Sequence, residues 1–131
     1  MAATVTLNLL QGQTFRRTFV LTRRGADDVP EPLPTIGCTS RMQIRPKYGE
    51  PVLLELTTEN GGITVDPDVD GRVSVYMSAE QTDELGETAD PRKPRTKFMY
   101  DLELVYPSGD VLRVMESDAC TIKRNITRDS E

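Results

Sequence analysis

Three aspartates at alternate positions have the spacing that comes closest to a metal site. Asp66, Asp68 and Asp70 are followed by Gly71, as in the opening of a calcium-binding loop, where alternate carboxylates and a turn glycine surround the ion. Position twelve of such a loop would be Met77, where a bidentate glutamate is required. The spacing therefore predicts an acidic β-turn, with a weak and irregular cation site as the alternative.

Positively charged side chains form a second candidate site. Four of them occupy one short segment that is stiffened by prolines: Arg92, Lys93, Arg95 and Lys97. Such a segment could bind an acidic partner or a phosphate group. Because no aromatic residues alternate with the charges and the whole chain is acidic, we expect a solvated loop, with an interface as the alternative.

A polar strip is predicted along one side of a strand. Arg41, Gln43 and Arg45 alternate with the apolar residues Met42 and Ile44, so the three polar side chains share one face. This face could contact a partner, or it could be the solvated side of a sheet. Both interpretations stay open.

Catalytic chemistry has little support in the sequence. The chain contains no histidine, the residue that most often serves as general base and as neutral metal ligand. The sequence contains neither a glycine-framed nucleophile nor a phosphate-binding loop. We therefore predict a protein that is not an enzyme and uses no cofactor. Cys38 and Cys120 are expected to be buried free thiols, with a disulfide as the alternative.

The elements that must position these residues are strands. Apolar residues recur at every second position in residues 4–10, 15–22, 38–45, 52–57, 63–65, 73–77, 98–106, 111–116 and 120–126. Residues 23–34 and 87–97 are predicted to be loops because they contain prolines and many polar residues. Only residues 78–86 look helical, with Ser78 as the N-cap and Gln81 as its capping-box partner. The pattern predicts a mainly antiparallel all-β sandwich of about seven to nine strands with one short helical turn.

Length and composition indicate one globular domain. A chain of 131 residues is typical of a single core, which we place at about residues 4–126 of the domain 1–131, with a polar tail at 127–131. The net charge of −5 makes nucleic acid an unlikely partner. The apolar runs are far shorter than the ~20 residues of a membrane span, and no secretory signal is recognised.

The order of strands and turns resembles that of small tailed-bacteriophage virion proteins. The segments that carry the resemblance are GQTF at 12–15, GCTSRMQIR at 37–45, LLELT at 53–57, NGGI at 60–63, YDLEL at 100–104 and SGDV at 108–111. Together they are similar to the immunoglobulin-like (Ig-like) N-terminal domain of phage baseplate upper proteins. The likeness covers about residues 11–126 and consists of strand and turn patterns, so it transfers no residue-level function.

The resemblance implies an Ig-like sandwich that docks onto neighbouring subunits of a virion. Its partners would be other capsid, neck or tail proteins in a symmetric multicopy assembly, formed in the cytoplasm of the bacterial host. The chain ends soon after its last predicted strand, whereas the baseplate proteins continue, so an adaptor, collar, decoration or tail-accessory role is expected rather than receptor binding.

Two other functions compete with this hypothesis. A carbohydrate- or host-surface-binding module would need exposed aromatic rings, and Tyr48 and Tyr76 are the candidates in a chain without tryptophan. A jelly-roll enzyme would need clustered histidine and carboxylate ligands, which a chain without histidine cannot supply.

Overall fold

Strands make up most of the fold. A computed structural model describes residues 5–47 and 49–124, except for the side chain of Asp118. Within this part the strands are Leu7–Leu10 (β1), Phe15–Val20 (β2), Thr22–Arg24 (β3), Pro30–Pro32 (β4), Thr39–Arg45 (β5), Leu54–Thr57 (β6), Ile63–Val65 (β7), Arg72–Met77 (β8), Arg95–Val105 (β9) and Val111–Lys123 (β10). The helix α1 spans Ala79–Glu87. The predicted all-β class is confirmed, with ten strands rather than seven to nine.

The strands form two main sheets and a two-stranded ribbon. The larger sheet has the order β1-β10-β9-β5-β6, the smaller has the order β2-β8-β7, and β3 pairs with β4. All pairs are antiparallel apart from β1 and β10, which run parallel with Leu7 opposite Cys120. The predicted mainly antiparallel pairing is therefore confirmed.

Both main sheets bury their apolar faces in one core. The buried cluster includes Leu7 from the first strand, Ile44 and Leu102 from the middle of the larger sheet, Val75 from the smaller sheet and Leu85 from the helix. Each fully buried aliphatic side chain contributes about 1.5–3 kcal/mol of transfer free energy. The alternating pattern of the sequence thus decides which side of each strand faces inward.

The helix begins where the sequence predicts. Ser78 Oγ accepts a hydrogen bond from the Gln81 N–H (3.1 Å), and Gln81 Oε1 accepts one from the Ser78 N–H (2.8 Å), which completes a capping box. Thr82 Oγ donates to the Gln13 carbonyl (3.0 Å) and Leu85 is buried, so the helix covers one end of the core. At nine residues, it is the only helix in the described residues apart from one three-residue turn, and it is too short to cross a membrane.

The prediction of a loop at residues 23–34 is wrong in part. Strands β3 and β4 pair within it as a ribbon, and Asp27 and Asp28 have φ angles of 60° and 63° at the tip. Two consecutive positive φ angles, with the Val29 N–H donating to the Ala26 carbonyl, define a type I′ turn, which matches the twist of a two-stranded ribbon. Pro30 and Pro32 are tolerated because an exposed ribbon leaves one edge without a partner strand.

Two further boundaries differ from the prediction. Strand β9 begins at Arg95, so Arg95 and Lys97 lie in the sheet and not in the loop predicted at 87–97. The two strands predicted at 111–116 and 120–126 form one strand, β10, which ends at Lys123 within the described residues. Register shifts between Arg113 and Met115 and between Ser117 and Cys120 break the two-residue period, as β-bulges do. Residues 125–131, including the predicted tail, lie outside the described residues.

Candidate interaction surfaces

The outer face of the larger sheet carries the predicted polar strip. Arg41, Gln43 and Arg45 all lie on this face, and each is bonded within the chain. Arg41 Nε contacts Glu103 Oε1 at 2.8 Å, Gln43 Nε2 donates to Glu55 Oε2 at 2.8 Å, and Arg45 donates to Gln43 Oε1 at 2.9 Å and to the Glu50 carbonyl at 2.7 Å. The strip is therefore an ordered polar surface, in which Arg41 and Gln43 have cross-strand partners and Arg45 is held by its own strand and the loop that follows it.

Arg113 extends this network onto β10. Its guanidinium lies 3.8 Å from Asp101 Oδ2, 3.5 Å from Glu103 Oε2 and 3.8 Å from Glu116 Oε2. Burial raises the pKa of Asp101, the neighbouring Glu103 carboxylate raises it further, and the charge of Arg113 lowers it. Arg113 thus offsets part of the repulsion among these carboxylates, and it lines a hollow of about 180 Å³ together with Asp101 and Glu116.

The basic segment is divided between a turn and a strand. Arg92 Nε lies 3.3 Å from Asp90 Oδ1, and its side chain is largely exposed. The Lys93 N–H donates to the Asp90 carbonyl in the same turn. Arg95 and Lys97 sit at alternate positions of β9 with exposed side chains, on the same outer face as Arg41. Arg92 and Lys93 therefore lie in the predicted loop, whereas Arg95 and Lys97 lie in a strand.

The strand register adds a cation that sequence reasoning missed. Lys123 of β10 lies directly opposite Arg95, so these two side chains share the outer face of the sheet. No signal in the sequence could have paired residues so far apart, because register depends on the fold. We call Arg92, Lys93, Arg95, Lys97 and Lys123 the basic patch.

Asp66 stabilises the turn that contains the three aspartates. Asp66 Oδ1 accepts hydrogen bonds from the N–H groups of Asp68 and Val69 (2.9 and 3.1 Å), and its Oδ2 lies 3.5 Å from Arg72. In the described part of the chain, no group of three histidine, cysteine or acidic side chains is arranged to hold a metal ion. The predicted acidic β-turn accounts for the hydrogen bonds of Asp66.

Asp70 points away from that turn and joins a different loop. Its Oδ1 accepts hydrogen bonds from the N–H groups of Thr35 and Ile36 (2.9 and 3.0 Å), and these bonds lower the pKa of Asp70. The adjacent Gly71 has a φ of 84°, and a Cβ there would come within 2.5 Å of the Leu21 carbonyl oxygen. The turn therefore requires glycine at this position.

The cysteines are buried free thiols, as predicted. Burial raises the pKa of Cys120 to about 12. Burial and the negative charge of Asp70 raise the pKa of Cys38. Because the reactive species is the thiolate, neither cysteine is suited to nucleophilic chemistry.

Of the two tyrosines predicted as candidates for sugar stacking, only Tyr76 belongs to the described residues. Tyr48 lies outside the described residues. Tyr76 is partly exposed on the smaller sheet, but the guanidinium of Arg16 sits 4.9 Å from the centre of its ring. A sugar stacking on that face would have to displace this cation–π contact.

The ribbon and a neighbouring cleft expose apolar surface. All three residues of β3 are exposed, and Val29 at the tip is 60% exposed. A cleft of about 630 Å³ runs between the base of the ribbon, β2 and the start of β10, with Val20 and Leu112 among its lining residues. Val20 is 73% exposed.

Comparison with known proteins does not assign this chain to a family. No protein-family model matches it, and no curated protein matches its sequence.

Proposed function

We propose that this chain is a non-enzymatic structural protein of a tailed-bacteriophage virion. In this proposal its two main sheets form an Ig-like sandwich that docks onto neighbouring capsid, neck or tail subunits through its loops and sheet edges. It would act in many copies within the particle, after assembly in the cytoplasm of the bacterial host. The order of strands and turns in the resemblance described above supports the choice of a virion.

The observation that carries the docking role is the exposed ribbon Thr22–Pro32. An isolated two-stranded ribbon is at best marginally stable in water, and five of the six strand residues of β3 and β4 are exposed. The tip adds an exposed valine to this surface. An extended arm with a free edge and an apolar tip is suited to contact a neighbouring subunit.

The outer face of the larger sheet, where polar side chains are bonded to neighbours within the chain, is suited to the same role. Side chains already fixed by hydrogen bonds or ion pairs within the chain lose little conformational freedom when a partner covers them. Contacts through Arg41 and Arg45 would therefore cost less ordering entropy than contacts through free arginines. The ribbon and the preordered outer face of the larger sheet are thus the two proposed docking elements.

Quantitative mass spectrometry of purified particles tests the proposal. Heads, tails and unassembled protein are separated from a lysate, and peptides of this chain are counted against those of known virion subunits. Stoichiometric recovery in heads or tails is expected. Recovery in no particle fraction would refute the virion role, and glycan binding in the same preparation would favour the carbohydrate-binding alternative.

A ribbon variant tests which surface docks. Arg24→Glu combined with Val29→Asp changes two exposed ribbon residues and is expected to reduce incorporation into particles by roughly tenfold. Asp68→Asn combined with Asp110→Asn changes two exposed residues in other turns and serves as the matched control. Equal incorporation of both variants would refute docking through the ribbon.

A further inference from the structure

The basic patch contains an unfavourable arrangement of charge. Arg95 and Lys123 are directly opposite on neighbouring antiparallel strands, where side chains start about 5 Å apart and like charges repel. Lys97 follows two residues along on the same face. Within residues 5–47 and 49–124, no carboxylate forms an ion pair with any of these three side chains. Among the described residues, their repulsion is therefore uncompensated.

The exposed side of α1 contains an unfavourable arrangement of negative charge. Glu80, Asp83 and Glu84 are exposed, and Glu80 and Glu84 are four residues apart, where like charges on a helix repel. Glu84 lies near the C-terminal end of the helix, where the negative end of the helix dipole disfavours a negative charge. The last turn of the helix contains no basic residue that would offset this effect. No ion pair with these three carboxylates occurs among the described side chains. We call Glu80, Asp83 and Glu84 the acidic helix face.

The two surfaces are at the same end of the molecule. Arg124, next to Lys123, joins them: its Nη1 donates to the Gly86 carbonyl in the last turn of α1 (3.3 Å), and its N–H donates to the Pro94 carbonyl beside Arg95 (3.1 Å). The end of the helix, the loop before β9 and the end of β10 are thus tied together. Two surfaces of opposite charge thus lie at one end of the molecule, and no ion pair joins them among the described residues.

We propose that the basic patch binds the acidic helix face of a second copy of this chain. A two-fold axis at this end of the molecule would bring each patch against its complement in the partner, as in an isologous interface. Both repulsive arrangements would then gain counter-charges. A second copy is favoured over nucleic acid because it carries both surfaces and can supply counter-charges to each, whereas a polyanion would compensate the basic patch alone. The inference deepens the proposed multicopy role and rests on it for its biological setting.

Sedimentation of the purified chain tests the pairing. A concentration series is expected to show a monomer–dimer equilibrium at low salt. Because the Debye length falls from about 10 Å at 0.1 M salt to about 3 Å at 1 M, the association constant is expected to fall by about tenfold or more over that range. A chain that stays monomeric at all concentrations and both salt levels would overturn the proposal.

Charge reversal identifies the surfaces. Arg95→Glu with Lys97→Glu, and separately Glu80→Lys with Glu84→Lys, should each weaken self-association by roughly tenfold or more. An equimolar mixture of the two variants should associate again, since each reversed surface then meets one of opposite charge. Two monomeric variants that remain monomeric when mixed would overturn the proposal.

The control reverses charge elsewhere. Asp68→Lys with Asp110→Lys alters two exposed side chains in turns at the other end of the molecule and should leave association unchanged. Loss of association in this variant would indicate a general net-charge effect and overturn the assignment of the surfaces. A monomeric parent chain whose basic patch binds polyaspartate would also overturn it, in favour of a foreign acidic protein. All of these measurements use the chain alone, so their failure leaves the virion role to be decided by the particle analysis.

Discussion

Asp70 connects two loops that are far apart in the sequence. Its carboxylate accepts both backbone hydrogen bonds from the loop containing Thr35 and Ile36. Thr35 returns the contact, because its Oγ accepts a hydrogen bond from the Gly71 N–H (2.8 Å). The N–H of Leu21, at the base of the ribbon, donates to the Gly71 carbonyl. One short acidic turn thus anchors a loop and a ribbon.

Asp70→Ala is expected to lower the melting temperature, and Asp70→Asn to lower it less, because asparagine retains an acceptor oxygen. The pKa of Asp70 is held below its ordinary value of 3.8, so its ionised form contributes stability above that pH and loses it as the pH falls through the lowered pKa. Thermal melts at pH 7 and in acid should therefore show a difference between parent and Asp70→Ala that shrinks in acid.

Asp68→Ala is the matched control. Because the Asp68 side chain is exposed, this variant should have the same melting temperature as the parent. A difference for Asp70→Ala that stays constant across this pH range would contradict the role of the carboxylate. A rise in the parent's melting temperature with millimolar calcium would restore the cation-site alternative.

The ribbon shows how an element can form with little help from packing. Its two strands are held by their own hydrogen bonds, by an ion pair between Arg23 and Glu31 (2.8 Å) and by one between Arg24 and Asp28 (3.1 Å). Both pairs are exposed, and such pairs contribute little stability. The turn at the tip requires left-handed backbone at two aspartates, which costs more than it would at glycine. The ribbon is therefore a weakly stabilised element.

Asp28→Gly is expected to stabilise the ribbon by about 0.5–1 kcal/mol, because Asp-Gly is a preferred pair for a type I′ turn. The Gly25 N–H donates to the Val29 carbonyl across the ribbon, so its hydrogen exchange should slow by about two- to fivefold in nuclear magnetic resonance measurements. Asp28→Asn removes the same ion pair but keeps a Cβ, and its effect should be smaller. Faster exchange in Asp28→Gly would show that the ion pair with Arg24 matters more than the turn.

The elements that sequence reasoning located are those with one buried face. β5 was recognised because Met42 and Ile44 alternate with polar residues, and α1 because Ser78 and Gln81 form a capping box. β3 and β4 were missed because a ribbon exposed on both sides has no apolar period, and its prolines indicate a loop. β10 was divided in two because the bulge near Ser117 interrupts its alternation.

The candidate surfaces were predictable only in part. Arg41, Gln43 and Arg45 could be placed on one face because they lie on one strand. The partners of Arg41 and Gln43, Glu103 and Glu55, come from other strands. A two-residue pattern does not specify which strands are neighbours. For the same reason, the position of Lys123 opposite Arg95 could be found only from the fold.

At the scale of the whole molecule, stability resides in the apolar core to which both main sheets contribute. Leu102 lies in the middle of the larger sheet, opposite Met42 on one side and Met115 on the other, and all three side chains are buried. Leu112, on the same hairpin, lines the cleft and is 41% exposed. Two leucines that differ in burial thus allow a direct test of the core.

Leu102→Ala is expected to lower the free energy of unfolding by about 2–5 kcal/mol, through lost burial and the cavity left behind. Leu112→Ala removes the same atoms from a partly solvated position and should cost about 1 kcal/mol or less. Urea denaturation of both variants and the parent measures the difference. Similar losses for the two variants would show that the cleft belongs to the core.

The parallel pairing of β1 with β10 has a consequence for synthesis. Leu7 pairs with Cys120, although nearly the whole length of the fold separates the two residues in sequence. The strand β1 therefore cannot enter the sheet until β10 has been synthesised, and until then Leu7 and Leu9 lack their place in the core. Contacts between such distant residues slow folding, so the pairing of these two strands is expected to be a late step in folding.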